Sequence, residues 1–407
     1  MTNGLFAILV SLVSLVVTTV AFPFVLRFAK RHNIVDNPNA RKLQRVPIPV
    51  LGGVAVYAGM LTGILSLAAF MAEPVMLWAL GAMSVMLVIG VWDDRRDLSP
   101  LFRLSVEILL VLGLALATGL YMDDLHGLWG IWLLDDSLAL PLSVVSGVGL
   151  INAINLIDGV DGYSSGYGVM PSGCFAMLFW VVDDKVMVCM ALIAMASLLP
   201  FFLHNVFGIR SKMFIGDGGT LMLGMLMTIF VFYTISSKGK CDGLEAQNVG
   251  LAALSLAILC IPVFDTLRVM TARMMRGRSP FRPDRTHLHH LFIDMGFSHL
   301  GAGLFILLIN FTVVLVWLLL WWLGASVDVQ TYVVVGLGLA VTSGFYKLMK
   351  VQQNGGPVDV DGYPTGTWLW RLFCRLGEKS HFEKGLIWRA IRYAMDSRWF
   401  GQPIIRK

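Results

Sequence analysis

The residues best placed to do chemistry are two amides and two carboxylates in Asn152-Ala-Ile-Asn155-Leu-Ile-Asp158-Gly-Val-Asp161-Gly-Tyr163, which closes an apolar run beginning near Leu140. A carboxylate in hydrocarbon costs about 2.5 to 3.5 kcal/mol even on lenient insertion scales, so acids at the end of a membrane helix need a task. Three-residue steps fall about 60° short of a full helical turn, so Asn152, Asn155 and Asp158 share one face while Asp161 swings away. Gly159 and Gly162 can release the helix there, because glycine takes backbone angles other residues avoid. The expected result is a helix end opening into a loop, with polar groups converging on one small volume. Helix capping by Asp is the plain alternative, but it does not account for the paired amides upstream.

Three further clusters carry groups of the same kind. Trp92-Asp93-Asp94-Arg95-Arg96-Asp97 is either a solvated ion-pair cluster or an Asp pair able to hold a divalent cation through carboxylate oxygens. Glu107, a turn into the following span, is expected to be the buried partner of a nearby arginine rather than a catalyst. Phe214-Ile-Gly216-Asp217-Gly218-Gly219-Thr220 heads another span; it could cap that helix, or present free amides to a phosphate with Asp217 turned toward a metal. Arg278-Ser-Pro280-Phe-Arg282-Pro-Asp284-Arg285-Thr-His287-Leu-His289-His290 places three histidines beside arginines. Their spacing is poor for a transition metal and no cysteine assists, so diphosphate and sugar oxygens are the expected contacts. Acids with a divalent cation, basic groups and open amides are the parts for phosphoryl transfer. At a water–lipid boundary, one substrate is expected to be a lipid phosphate and the other a soluble nucleotide.

The elements that must position these groups are membrane helices. Hydrophobic residues make up 57% of the chain and charged residues 14%, with a mean hydropathy of +0.75, which excludes a soluble domain. Apolar runs predict an all-α polytopic integral membrane protein of about eleven spans, near 4–26, 50–72, 76–92, 103–120, 140–157, 166–182, 186–204, 218–236, 249–268, 301–323 and 330–348. The first run is too long for a signal-peptide core and lacks a basic head, so it reads as a retained span. Twenty-eight of the 31 Lys and Arg fall in alternate loops and the tail, leaving Lys185, Lys238 and Lys240 on the other side. By the positive-inside rule the N-terminus is outside, the C-terminus is cytoplasmic, and all the acid clusters open to the cytoplasm. The five cysteines imply no disulfide.

Taken together, the motifs resemble those of the polyprenyl-phosphate N-acetylhexosamine-1-phosphate transferases (glycosyltransferase family 4). The Asn152–Tyr163 stretch, the Asp93-Asp94-x-x-Asp97 motif, the Phe214–Thr220 motif and Pro262-Val-Phe-Asp265-Thr each match a family segment. Arg41-Lys-Leu-Gln-Arg-Val-Pro47-Ile-Pro49-Val-Leu-Gly52-Gly53 is similar to another, although Gln44 stands where the family has histidine. The Arg278–His290 loop fits the WecA-like branch more closely than the MraY branch.

The resemblance implies transfer of an N-acetylhexosamine-1-phosphate, GlcNAc-1-phosphate foremost, from the UDP-sugar to undecaprenyl phosphate with release of UMP. It implies Mg²⁺ (or Mn²⁺) as cofactor, a bacterial cytoplasmic (inner) membrane, and the first membrane step of a cell-surface polysaccharide pathway. Asp217 is then the metal ligand, with Asp94 a second candidate. Asp93, Asp94, Asp158 and Asp161 are the catalytic group, Asp93 or Asp94 meeting the lipid phosphate. Lys42, Asn152, Asn155, Arg285, His287, His289 and His290 are the substrate-binding set. A phospho-MurNAc-pentapeptide transferase of the MraY type is the alternative within the family. An ion-coupled transporter is a distant one, since its acids would lie near the midplane on broken helices. No nucleic acid partner is expected, and homodimerisation is left open.

The resemblance covers residues 1–350, the expected transferase domain. Residues 351–407 form a basic, aromatic-rich cytoplasmic tail, which suits amphipathic helices on an anionic membrane surface or a partner-protein surface equally.

Overall fold

A computed structural model describes residues 3–38, 44, 46–280, 286–353, 368–381 and 385–395. Lys42 and Arg285, two of the expected substrate-binding residues, lie outside this set. The chain is an all-α polytopic membrane protein. Its helix α1 (Asn3–Arg31) is followed by a short antiparallel ladder of β1 (Val35–Asp36) with β2 (Ile48–Pro49), Val35 opposite Pro49 and Asp36 opposite Ile48. Then come α2 (Gly52–Ala68), α3 (Pro74–Arg96), α4 (Pro100–Thr118), α5 (Asp136–Leu156), α6 (Tyr163–Val181), α7 (Lys185–Phe207) and α8 (Gly216–Ile235). The second half comprises α9 (Leu251–Ile258), α10 (Cys260–Met274), the short α11 (Leu288–Asp294), α12 (His299–Trp322) and α13 (Val327–Gln353). In the tail lie α14 (Trp368–Lys379) and α15 (Leu386–Met395).

Eight of these helices are long and apolar enough to cross a membrane, and the α9–α10 pair, bent by 78°, would make a ninth. The two remaining expected spans fall on α2 and α6. Helix α2 has 17 residues, about 26 Å against a hydrocarbon core of about 30 Å. Helix α6 opens on Tyr163-Ser-Ser-Gly-Tyr-Gly168, too polar to be counted on composition.

Helix α8 is the centre of the bundle. It is buried along its length and packs against α2, α3, α5, α6 and α9. Small residues let the neighbours come that close: a Cβ added at Gly90 of α3 would run into the backbone of Asp217 and Gly218. This approach brings the C-terminus of α3 onto the N-terminus of α8, and with it two of the acid clusters.

The expected span at 249–268 is broken rather than continuous. Pro262 lacks an N–H and its ring clashes with the carbonyl four residues back, that of Ile258, which ends α9. The freed backbone groups are met by side chains from neighbouring helices. Asn310 of α12 accepts from the Ile261 N–H (2.8 Å) and donates to the carbonyls of Ile258 (2.9 Å) and Ala257 (3.2 Å). The Tyr167 hydroxyl of α6 donates to the Ile258 carbonyl as well (3.0 Å). A broken helix at membrane depth survives only where such partners exist.

Helix α13 runs through to Gln353, past the expected boundary at 350. Beyond it the tail helices dock on the bundle. Phe373 of α14 sits among Phe292, Phe305 and Phe345, with ring centroids 6.5, 5.7 and 4.8 Å away. On α15, Trp388 packs on Phe207, 4.5 Å between centroids. Ser380 accepts from the Ser298 N–H (3.0 Å), and its carbonyl accepts from the Ser298 hydroxyl (2.7 Å).

Candidate active site

At the α3–α8 junction, the carboxylate of Asp94 accepts from the Asp217 N–H, 3.0 Å from Oδ2. The first amides of a helix have no intrahelical partner and carry partial positive charge, so an anion is stabilised there. The Pro-x-Pro-x-x-Gly-Gly segment fixes the approach to this helix start. The Phe214 N–H donates to Pro49 (2.8 Å), while Gly52 and Gly53 donate to Phe214 (2.9 Å) and Ile215 (2.8 Å). Gln44, in the position of the family histidine, donates from Nε2 to Asp36 Oδ2 at 2.5 Å.

Helices α4 and α5 supply the second layer. Arg103 Nη1 lies 2.9 Å from Asp93 Oδ2 and 4.0 Å from Asp217 Oδ2, and its Nε is 3.6 Å from Glu107 Oε1. The same guanidinium reaches the Asn152 side-chain oxygen at 3.5 Å, and Asn152 donates to Glu107 and to the Val148 carbonyl (3.0 Å). Glu107 is fully buried beside Arg103. Asn155 donates to Asp217 Oδ1 (3.0 Å) and to the Thr220 hydroxyl (2.8 Å). Thus the α5 face carrying Asn152 and Asn155 meets Asp217 directly and Asp93 through Arg103. Arg103 links Asp93, Asn152 and Asp217, yet it was absent from the expected site residues. Its signal was the Arg103-x-x-x-Glu107 spacing in the first turn of α4, where a cation opposes the helix dipole and so needs an anionic partner.

Helix α5 ends at Leu156, and Gly162 takes φ +75° immediately before α6, so Asp158 and Asp161 lie on the turn between. They face different partners. Asp158 accepts from the Ser164 hydroxyl (2.9 Å). Burial pushes its pKa up to about 7; Ser164 opposes the shift, while Asp217, Asp161 and Asp36 add to it. Asp161 pairs with Lys212 (2.5 Å) and lies 3.5 Å from His299 Nδ1. Asn205 ties this turn to the approach to α8, accepting from the Gly162 N–H (2.6 Å) and donating to the Met213 carbonyl (2.8 Å).

The histidines are anchored by Asp265 of α10. Its Oδ2 is 3.0 Å from His287 Nδ1 and accepts from the Leu288 N–H (3.1 Å), and its Oδ1 accepts from Arg268 (2.7 Å). Rings of His287 and His289 stack at 5.9 Å and 7°, and His289 continues to Tyr163 (6.0 Å) with its Nε2 edge against Gly159. Burial holds the His289 pKa well below the usual histidine range, so it is neutral at pH 7 and offers no charge to a phosphate. His290 is half-buried against the His289 ring (4.3 Å). The loop therefore reaches the Asp158–Asp161 turn from the far side.

Around Asp94, Asp217 and Asp158 the donors are carboxylate oxygens that repel one another, with Arg103 the cation within reach of Asp217. Such a set fits a small hard divalent ion held by one or two carboxylates and completed by substrate phosphates. An apolar groove of about 360 Å³ runs between α5, α8, α9 and α10, lined by Val145, Gly149 and Ala153, and by Val231, Leu256 and Met270. Ala153 places one end next to Asn152.

A glycosyl transferase family 4 model matches residues 76–235, a range that holds Asp93, Asp94, Asn152, Asn155, Asp158, Asp161 and Asp217. The chain is similar to the undecaprenyl-phosphate alpha-N-acetylglucosaminyl 1-phosphate transferase of Escherichia coli (strain K12), 29% identical over 309 residues, 75% of this chain and 82% of that one. It is likewise similar to the probable undecaprenyl-phosphate N-acetylglucosaminyl 1-phosphate transferase of Bacillus subtilis (strain 168), 30% identical over 74% and 81% of the two chains. For the Salmonella typhimurium (strain LT2) undecaprenyl-phosphate alpha-N-acetylglucosaminyl 1-phosphate transferase, the values are 30%, 73% and 79%.

Proposed function

The chain belongs to glycosyl transferase family 4, and from that premise we propose that it transfers GlcNAc-1-phosphate from UDP-GlcNAc to undecaprenyl phosphate. An oxygen of the lipid phosphate attacks the sugar-linked phosphorus; the bond to the UMP oxygen breaks, and UMP leaves with that electron pair. The observation that carries the reading is the meeting of Asp94, Asp217, Asn155 and Arg103 at the N-terminus of α8; an apolar groove along α5 and α10 is able to take a prenyl chain. The distribution of basic residues supports a cytoplasmic site in a bacterial inner membrane.

Asp217 and Asp94 would hold Mg²⁺ (or Mn²⁺), which when bound neutralises the diphosphate. Asn155 keeps the Asp217 carboxylate turned into the site. Asp93 is engaged by Arg103 and by the Leu98 N–H (2.7 Å), so it orients the guanidinium rather than acting as a base. Arg103 is then placed to meet charge developing on the transferring phosphoryl group. With a pKa about 7, Asp158 can take the proton of a lipid phosphate whose own second pKa is near 6. Lys212 and Asp161 brace the turn that carries it. His287 and His289 close the far side against sugar oxygens, and His290, Lys42 and Arg285 belong to the same substrate-binding set.

Purified protein given undecaprenyl phosphate and a panel of UDP-sugars tests this by UMP release. UDP-GlcNAc or a close 2-acetamido relative should be used, the reaction should require Mg²⁺, and tunicamycin should inhibit it. Turnover of UDP-MurNAc-pentapeptide at a rate equal to or above that of UDP-GlcNAc would move the chain to the MraY branch.

A further inference from the structure

The two tail helices each have an inner and an outer face. Helix α14 turns Phe373, Gly377 and Ser380 toward the bundle. A Cβ added at Gly377 would meet the Met295 carbonyl at 3.0 Å, so the α14 backbone rests directly on the turn between α11 and α12. Helix α15 sets Trp388 on Phe207, the last residue of α7. Both contacts lie at the ends of spans. Helix α7 stops at Phe207, and α12 starts at His299, whose Nδ1 is 3.5 Å from Asp161. The tail helices therefore sit where spans leave the hydrocarbon, on the side of the membrane that holds the active site.

The outer face suits that level. On α14 it carries Arg371, Leu372, Arg375, Leu376 and Lys379, all exposed; on α15 it carries Arg389 and Tyr393, the latter 88% exposed. Among the described residues of the two helices the acid is Glu378 alone. We propose that this face binds the anionic headgroups of a phospholipid leaflet, on the side of the membrane where the active site opens. An anionic surface attracts each basic side chain held close to it. The long Arg and Lys stems keep their charged heads among the headgroups while Leu372 and Leu376 dip toward the acyl chains. A protein partner is the rival, and the pattern disfavours it. Protein interfaces keep charge out of their centre and confine polar groups to the rim. Here an Arg stands beside a Leu in successive turns of α14, so the face has no apolar centre.

The test places the full chain in nanodiscs of phosphatidylcholine alone, or of an equimolar mixture with phosphatidylglycerol, and reads amide hydrogen exchange by mass spectrometry. Peptides from α14 and α15 should exchange at least about fivefold more slowly in the mixture, the worth of one basic residue held at an anionic surface. Peptides from the acidic loop after α4 should not change. High salt should shrink the difference, because it screens exposed charges. Arg371→Gln, Arg375→Gln and Arg389→Gln together alter only exposed side chains. That triple variant should melt at the wild-type temperature yet lose the lipid dependence. The readout needs no turnover, so it stands apart from the proposed reaction. Equal exchange in the two lipids, or a triple variant that keeps the difference, would overturn the proposal and give the face to a protein partner.

Discussion

Arg103 is the cation that joins the acid clusters, because its fork reaches Asp93, Asn152 and Asp217 at once. Lysine keeps the charge but has no fork, so it cannot span those partners. Arg103→Lys should lower kcat/KM for UMP release by about 10²-fold or more, on the scale of losing one preorganised donor, with little change in melting temperature. Retention of near wild-type kcat/KM would remove Arg103 from the transition state. Asp158 permits a sharper test through pH. Its raised pKa, about 7, means it accepts a proton only above that value, so wild-type rates should fall as pH drops through neutrality. The lipid phosphate sheds its own proton above about pH 6 and needs a base less as pH rises. The deficit of Asp158→Asn should therefore be smaller at pH 8.5 than at pH 6.5. A pH-independent deficit would give Asp158 a purely structural part.

Among the elements, the α9–α10 break has its freed backbone groups met by Asn310 and Tyr167. Asn310→Leu strips partners from the Ile261 N–H and from the Ala257 carbonyl. The Ile258 carbonyl would still have the Tyr167 hydroxyl. Each orphaned buried group costs about 1–3 kcal/mol, so this variant should lower the melting temperature in detergent markedly. Tyr167→Phe, which leaves Asn310 in place, should cost about 1 kcal/mol. Equal melting temperatures for wild type and Asn310→Leu would show that the break is held by other means. Helix α10 also carries Asp265, so loosening it should weaken donor binding by freeing His287.

For the whole molecule, the tail and the bundle are joined where the histidine loop turns into α12. Ending the chain at Gln353 would expose Phe292, Phe305 and Phe345 and remove the Ser380 bonds to Ser298. We expect that truncation to raise KM for the UDP-sugar and lower the melting temperature. Full activity and stability would make the tail a passive appendage. The proposed orientation is tested by labelling: Arg96→Cys and Ser279→Cys should react with an impermeant maleimide only after cells are opened. Labelling of either in sealed cells would invert the topology.

Read alone, the sequence determined the class and the inventory. Long apolar runs leave a chain no alternative to membrane helices, and acids at helix ends are too costly to be incidental. Step-of-three spacing placed Asn152 and Asn155 on one face of α5, but the helix ends at Leu156, before Asp158 and the glycines, so Asp158 lies on the following turn and not on that face. What the three acid clusters do to each other was decided only by packing. That Asp94 rests on the amide of Asp217 follows from the close backbone contact at Gly90 and Gly218, a relation between residues more than a hundred positions apart. Packing likewise decided the reach of Arg103 to Asn152 and Asp217, the pairing of Asp161 with Lys212, and the meeting of His126 with Glu245. Local periodicity reports the face a residue occupies, whereas contact across helices depends on how closely their backbones approach. The 78° break in the ninth expected span lay between these cases. Pro262 was visible, but a single proline also sits inside the intact helices α1, α5, α6 and α7; Asn310 and Tyr167, far away in sequence, supply the bonds that let the chain stay broken there.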